Sequence, residues 1–119
     1  PNIDLVIIGS VAVNPGSGRR LGKSHGYAEI EWGIASALGR VNEGTPVMTT
    51  VHELQLVSDD IPREPFDLPV DIVVTPSRVI RVNRADPKPR GIYWEFVTED
   101  MLREIPILRE LRNILGNRH

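Results

Sequence analysis

The sequence predicts an α/β fold built on a mostly parallel sheet, and three observations carry that reading. Apolar runs at 3–8 and 70–75 are near-continuous rather than alternating, as in strands buried on both faces of a parallel sheet. Residues 27–38 and 98–115 carry apolar positions at helical spacing. Strand-like and helix-like segments alternate along the chain, separated by glycine- and proline-rich loops.

The first strand is read over Ile3-Asp4-Leu5-Val6-Ile7-Ile8, with Val11-Ala12-Val13 extending it beyond Gly9-Ser10. A strand apolar on both faces needs cover on both sides. The chain opens on it directly from Pro1. The expectation is a single α/β domain over 1–119 that forms the C-terminal part of a longer polypeptide. The N-terminal part of that polypeptide, or a second copy of the chain, would complete the sheet.

Residues 14–26 form a loop with four glycines, two serines, a proline and three basic residues. A helix follows over 27–38, with Tyr27, Ile30, Ile34 and Leu38 on one face. Gly39 ends it, because glycine takes the left-handed conformation at little cost. Pro46-Val47-Met48-Thr49-Thr50-Val51 reads as a second strand and 70–75 as a third. Three prolines between them, in 52–69, argue against a long helix there. Residues 77–82 alternate and suit a fourth, less buried strand, and 93–97 read as a fifth. Thr98 N-caps the last helix, with Glu99 and Asp100 at the positive end of its dipole. Its apolar stripe is Met101, Leu102, Ile105, Leu108, Leu111 and Leu115, and Pro106 kinks or restarts it.

Composition narrows the chemistry. The 119 residues include no cysteine, which excludes disulfides, thiolate metal sites and a cysteine nucleophile. Fourteen basic against sixteen acidic residues give a net charge of −2, so no global basic field attracts nucleic acid. No run of ~18 apolar residues exists for a membrane span, and the expected location is cytoplasmic. His25, His52 and His119 never fall at i, i+4, which excludes a helical zinc motif.

The loop from Gly16 to Tyr27 follows a buried strand and opens a helix. Backbone N–H groups and the helix dipole favour anions there. Gly18, Gly22 and Gly26 let a phosphate approach closely, and Arg19, Arg20 and Lys23 supply countercharge. Gly22-Lys23-Ser24 ends as a P-loop does, but Ser17 stands where a P-loop needs its first glycine. The Gly-x-Gly-x-x-Gly spacing begun at Gly16-Ser17-Gly18 ends on Leu21. From spacing alone, a phosphate loop and a glycine-rich surface loop both remain open.

Arg20-Leu21-Gly22, then Gly26-Tyr27, then an acid at Glu29 resemble the Arg-Leu-Gly-x-Gly-x-Gly-Tyr-Tyr-Asp signature of 5-formyltetrahydrofolate cyclo-ligases. Asp4 to Ala12, Gln55-Leu56-Val57, Ile61-Pro62 and Asp67 to Thr75 resemble further blocks of that family. Gly26 to Glu31, Thr45 to His52, Thr75 to Ile80, Pro87 to Trp94 and Ile105 to Arg109 are similar to its methenyltetrahydrofolate synthetase domain-containing subgroup. The resemblance implies a Rossmann-like fold shared with ribose-phosphate isomerases and coenzyme A transferases. It implies ATP- and Mg²⁺-dependent closure of 5-formyltetrahydrofolate to 5,10-methenyltetrahydrofolate, by phosphorylation of the formyl oxygen and ring closure. Its small-molecule partners are then ATP and a folate, and the isolated chain is expected to be inactive. By the same resemblance, Arg20, Leu21, Gly22, Lys23, Ser24, His25, Gly26 and Tyr27 line the ATP phosphates. Arg20 and Glu29 act in catalysis, Glu29 holds Mg²⁺, and His52 and Gln55 face the substrate. Ser24, Ala28, Glu29, Ile30 and Phe66 stand where the family has glycine, tyrosine, aspartate, arginine and histidine. Read as an exposed helix-start carboxylate, Glu29 contributes only ~0.3–1 kcal/mol to stability through the dipole.

A rival reading needs no chemistry. Arg78, Arg81, Arg84, Lys88 and Arg90 against Asp86 make 78–90 locally basic. A nucleotide-fold binding module contacts RNA or protein through such a stretch.

Overall fold

The computed structural model describes residues 2–22 and 26–115, with the side chain of Leu115 left out. The first strand, β1 (Val6–Val13), runs unbroken through Gly9-Ser10. Its neighbours are β2 (Arg20–Gly22) and β3 (Val47–Thr50), followed by β4 (Ile72–Val74) and β5 (Val79–Arg81). The order across the sheet is β2-β1-β3-β4-β5. The three central strands are parallel and both edge strands are antiparallel to their neighbours. The expected α/β architecture with flanking helices is therefore present. Two elements depart from the reading above. Residues 20–22 form an edge strand rather than loop, and 94–96 form a 3-10 turn rather than a fifth strand.

Register decides which side chains are buried. Ile8, Thr49, Val73 and Ile80 align across four strands on one face. Ile8, Thr49 and Val73 are buried there, among Val13, Val47, Leu68 and Val70. The two hydroxyls in this layer are satisfied: Ser10 Oγ and Thr49 Oγ1 are 2.7 Å apart, and Thr49 donates to the Ile8 carbonyl at 2.8 Å. The opposite face carries Ile7, 61% exposed, Val11, 51%, and Val79, 65%. The expectation that β1 is buried on both faces is thus corrected, since among the described residues the helices cover one face and leave Ile7, Val11 and Val79 exposed on the other.

Helix α1 (Tyr27–Ala37) is the central helical layer. Trp32, with Ala28 and Ala35, packs on the sheet, while Ile30, with Tyr27 and Ile34, faces the C-terminal helices. The single stripe expected from spacing is therefore two stripes, and Leu38 lies largely exposed just past the helix end. Buried Trp32 donates Nε1–H to the Pro89 carbonyl at 2.8 Å, so its one polar atom is paired. The last segment splits into α2 (Glu99–Glu104) and α3 (Pro106–Leu115), with Thr98 accepting from the Met101 amide as an N-cap. Proline at 106 has no N–H to continue α2, so a new helix starts there. Met101, Leu102 and Leu108 close the second core over Ile30. Among the described residues, no helix is long and apolar enough to cross a membrane.

Candidate functional site

A cleft of 210 Å³ lies where β2, the start of α1 and residues 62–69 meet. Antiparallel pairing of Arg20 with Val13 and of Leu21 with Ala12 pins the strand beside β1. Alternation then turns successive side chains to opposite faces, so Arg20 goes inward while Leu21 is half exposed. The Arg20 side chain is only 3% exposed, and each part of its fork is used. Nε donates to the Leu68 carbonyl at 3.0 Å, Nη1 to the Gly9 carbonyl at 3.1 Å and Nη2 to Glu29 Oε2 at 2.8 Å. A guanidinium has five N–H groups, so this one ties sheet, loop and helix together and keeps donors in reserve.

Glu29 stands in the first turn of α1, turned toward Arg20 and the cleft, with its side chain 10% exposed. The expectation of an exposed helix-start carboxylate is corrected: this is a buried ion pair. Burial pushes the Glu29 carboxyl up, Arg20 opposes that, and Asp67 adds to it. Burial also lowers Arg20, against the pull of Glu29 and Asp67. Oε1 of Glu29 makes no hydrogen bond among the described residues. Magnesium is often held by one or two carboxylates plus substrate phosphates, and a carboxylate with one free oxygen fits that use. Among the described residues, no group of three or more acidic, histidine or cysteine side chains forms a self-contained metal cage.

Gly26 opens the helix at φ +93°, in the left-handed region, and lines the cleft with Gly22. A Cβ on Gly26 would lie 2.5 Å from Phe96 Cζ, and one on Gly22 would lie 2.8 Å from Arg20 Nη1. Both glycines are therefore required by close approach as well as by position in the signature. Lys23, Ser24 and His25, expected on the phosphates, lie outside the described residues. Tyr27 turns away from the cleft, donating its hydroxyl to Glu104 at 2.8 Å.

Three contributors come from segments that sequence reasoning did not assign to the site. Arg63 donates Nη2–H to the Pro87 carbonyl at 3.1 Å, but its buried Nε–H has no hydrogen-bond partner among the described residues. Asp86, 3.9 Å from that Nε, is taken by Arg19 through Nε at 2.8 Å and Nη2 at 3.2 Å. The Arg19 hydrogen bond holds the Asp86 carboxyl below its ordinary range. Phe66 and Phe96 form an aromatic wall. Nothing in the local pattern at 63, 86 or 96 marks these positions, because tertiary folding alone brings them together.

His52 and Gln55 are brought together, but not into this cleft. They line a second, open cleft of 460 Å³ at the carboxyl ends of β3 and β4, with Thr75 and Pro76. The Gln55 amide is spent on structure: Nε2 donates to the Ser10 and Val11 carbonyls, and Oε1 accepts from the His52 amide at 2.7 Å. His52 Nδ1 accepts from the Leu54 amide at 3.2 Å. Beside them Glu53 accepts from Thr75 at 2.5 Å and from Arg78 at 3.0 and 3.2 Å. The Arg78 hydrogen bonds and then those from Thr75 depress Glu53 from its ordinary 4.5 to about 2. A depressed carboxyl contributes stability above its unfolded pKa and loses it as pH falls through the folded one. Glu53 should therefore support the fold fully above pH 4.5 and lose that support toward pH 2. Melts across that window should decline less steeply in Glu53→Gln than in the wild type, and parallel declines would contradict the clamp.

The basic stretch is largely neutralised. Arg78 pairs with Glu53, Arg84 with Glu43 and Asp71, and Lys88 with Asp71 at 2.7 Å. Lys88 is 5% exposed, its ammonium also donates to the Glu43 and Thr45 carbonyls, and it lies 5.9 Å over the Trp32 ring. Asp71 in addition accepts from the Val47 amide at 2.8 Å. These groups fasten 83–90 to the sheet. Of the five bases, Arg81 and Arg90 alone make no ion pair among the described residues, which leaves little free charge for RNA.

Residues 1–76 match the model of the 5-formyltetrahydrofolate cyclo-ligase family. The chain is 50% identical over 113 residues to a methenyltetrahydrofolate synthase domain-containing protein of Mus musculus. It is 46% identical over 113 residues to the protein of that name from Homo sapiens and 43% over 115 residues to that from Danio rerio. These matches cover 92%, 92% and 94% of this chain. They span 30%, 29% and 29% of the relatives, so the chain corresponds to about three tenths of their length.

Proposed function

This chain belongs to the 5-formyltetrahydrofolate cyclo-ligase family, and from that premise we propose that the protein carrying it closes 5-formyltetrahydrofolate to 5,10-methenyltetrahydrofolate with ATP and Mg²⁺. The observation that carries this reading is the cleft at the family signature. Arg20-Leu21-Gly22, Gly26 and Glu29 line it together with Arg63, whose buried Nε–H has no hydrogen-bond partner among the described residues. An orphaned guanidinium donor is costly unless something accepts from it, and a phosphate oxygen fits it in charge and geometry.

ATP with its metal supplies the phosphoryl group that activates the formyl oxygen. Phosphoryl transfer asks the protein mainly for positioning and charge. Gly22 and Gly26 leave room for the Arg20 guanidinium and the Phe96 ring and set the backbone that would meet phosphate oxygens in the cleft, and Arg63 would donate from the side. Arg20 holds Glu29 in place through Oε2, and Glu29 Oε1 would be the oxygen that holds the metal. By the family signature, Lys23, Ser24 and His25 would also contact the phosphates. The cleft lining carries three arginines against Glu29, Asp67 and Asp86, so the charge of a triphosphate needs the metal and Lys23 as well. At the second cleft His52 Nε2, which makes no hydrogen bond among the described residues, would meet substrate, with Gln55 bracing the His52 backbone. The 210 Å³ of the signature cleft lies below the ~300–1,000 Å³ of sites that enclose a whole small molecule. Further parts of the polypeptide, or a second copy, would therefore enclose that cleft, and would separately cover the open sheet face at Ile7 and Val11. The 119-residue chain alone is then inactive, and the single domain it forms works in the cytoplasm.

Calorimetry of the full-length protein tests the reading. Mg²⁺–ATP should bind at one site per chain, be displaced by tripolyphosphate, and support turnover of 5-formyltetrahydrofolate. Failure to bind either polyphosphate would remove it.

A further inference from the structure

Opposite the guanidinium groups, the cleft presents two phenylalanine rings. Phe66 and Phe96 stack with centroids 4.0 Å apart and planes 22° from parallel, and Tyr93 lies tilted against Phe66 at 6.2 Å. Both stacked residues line the cleft and both stay half-buried. Phenylalanine has nothing to offer a phosphate; Phe96 packs in part on the second core, and what the pair adds to the cleft is an apolar aromatic surface. Its position is fixed from the phosphate side: the Phe96 ring occupies the space that a Cβ on Gly26 would fill. A ligand whose phosphate chain meets Gly22 and Gly26 therefore has these rings within reach of the groups it carries beyond the phosphates.

We infer that Phe66 and Phe96 form a stacking platform for a planar heteroaromatic ring adjoining the phosphate site. The inference rests on the phosphate reading of this cleft and extends it to the ring that the ligand carries. Two rings share the chemistry. One is the purine of the nucleotide. The other is the pterin of the folate, whose formyl oxygen must lie within about 3–3.5 Å of the transferred phosphorus. Offset stacking on aromatic side chains is tolerant of ring identity and substantial in energy.

Affinities of the full-length protein for tripolyphosphate, ATP and 5-formyltetrahydrofolate, each with Mg²⁺, separate the cases. Phe66→Leu and Phe96→Leu keep apolar bulk and remove the flat face. They should weaken one ring ligand about tenfold or more while leaving tripolyphosphate unchanged. A loss confined to ATP identifies the purine, and a loss confined to the folate identifies the pterin. Phe66→Tyr keeps the ring and should retain affinity, which serves as the readout where a leucine variant folds poorly. Equal losses for all three ligands, unchanged affinities for all, or loss in Phe66→Tyr would overturn the platform. Absence of tripolyphosphate binding in the wild type would instead strike the phosphate reading, and the platform with it.

Discussion

Arg20→Ala will destabilise the domain by about 3–5 kcal/mol, the range seen when one partner of a buried ion pair is removed. That is a large share of the ~5–15 kcal/mol that holds a typical domain folded. The cost has two sources. Glu29, 10% exposed, keeps a buried charge without its counterion. The Leu68 and Gly9 carbonyls also lose the donors that satisfy them. Denaturant melts measure it. Glu29→Gln is expected to cost less, about 1.5–3 kcal/mol, because the amide still accepts from Arg20. The Arg20→Ala/Glu29→Ala double variant should cost less than its two single variants added together, since it leaves no lone charge. Additive costs would mean that the pair is not coupled as the geometry requires.

Gly26→Ala combines two penalties. The φ of +93° costs a residue with a Cβ roughly 1–2 kcal/mol. The new methyl also meets Phe96 Cζ at 2.5 Å and Cε2 at 2.7 Å, so the ring must move, at roughly 1–3 kcal/mol for overpacking. Gly39→Ala is the internal control. Its φ is +72°, but nothing lies within 4 Å of its Cβ, so it pays the backbone cost alone. Gly26→Ala should therefore be the more destabilised by at least about 1 kcal/mol, and it should weaken polyphosphate binding at least tenfold while Gly39→Ala leaves binding intact. Equal stability losses in the two variants would show that the Phe96 contact is soft.

Local pattern made part of this legible. The apolar run before the glycine loop, the helix from Tyr27 and the Thr98 cap all express short-range physics; the helix and the cap form where their residues ask for them, while the strand read from Ile3 starts only at Val6 and runs to Val13. The signature residues Arg20, Gly22, Gly26 and Glu29 do converge on one cleft. Their roles there depend on a pairing that no short window reveals. Arg20–Gly22, in a glycine-rich stretch, reads as loop, yet hydrogen bonding to β1 makes it an edge strand and sends the Arg20 side chain into the core. Residues 93–97 fail for the complementary reason. Their aromatic composition suits a pleated, half-buried surface, but both sheet edges are already held by β2 and β5, and Trp94 and Phe96 pack on the helical core instead. The neutralised stretch at 78–90 shows that a charge run is basic only until its partners, here Glu43, Glu53 and Asp71, are brought alongside.

The central claim is that the phosphate chain of ATP sits against Gly22 and Gly26 with Arg63 donating to it. Calorimetric titration of Mg²⁺–ATP into the full-length protein and its Gly22→Val variant tests that most directly. Valine at 22 places a Cβ 2.8 Å from Arg20 Nη1, crowding a guanidinium already tied to Leu68, Gly9 and Glu29. The account predicts one nucleotide site in the wild type and its loss in Gly22→Val, with both proteins folded by circular dichroism. Undiminished ATP affinity in a folded Gly22→Val protein would place the nucleotide elsewhere and contradict it.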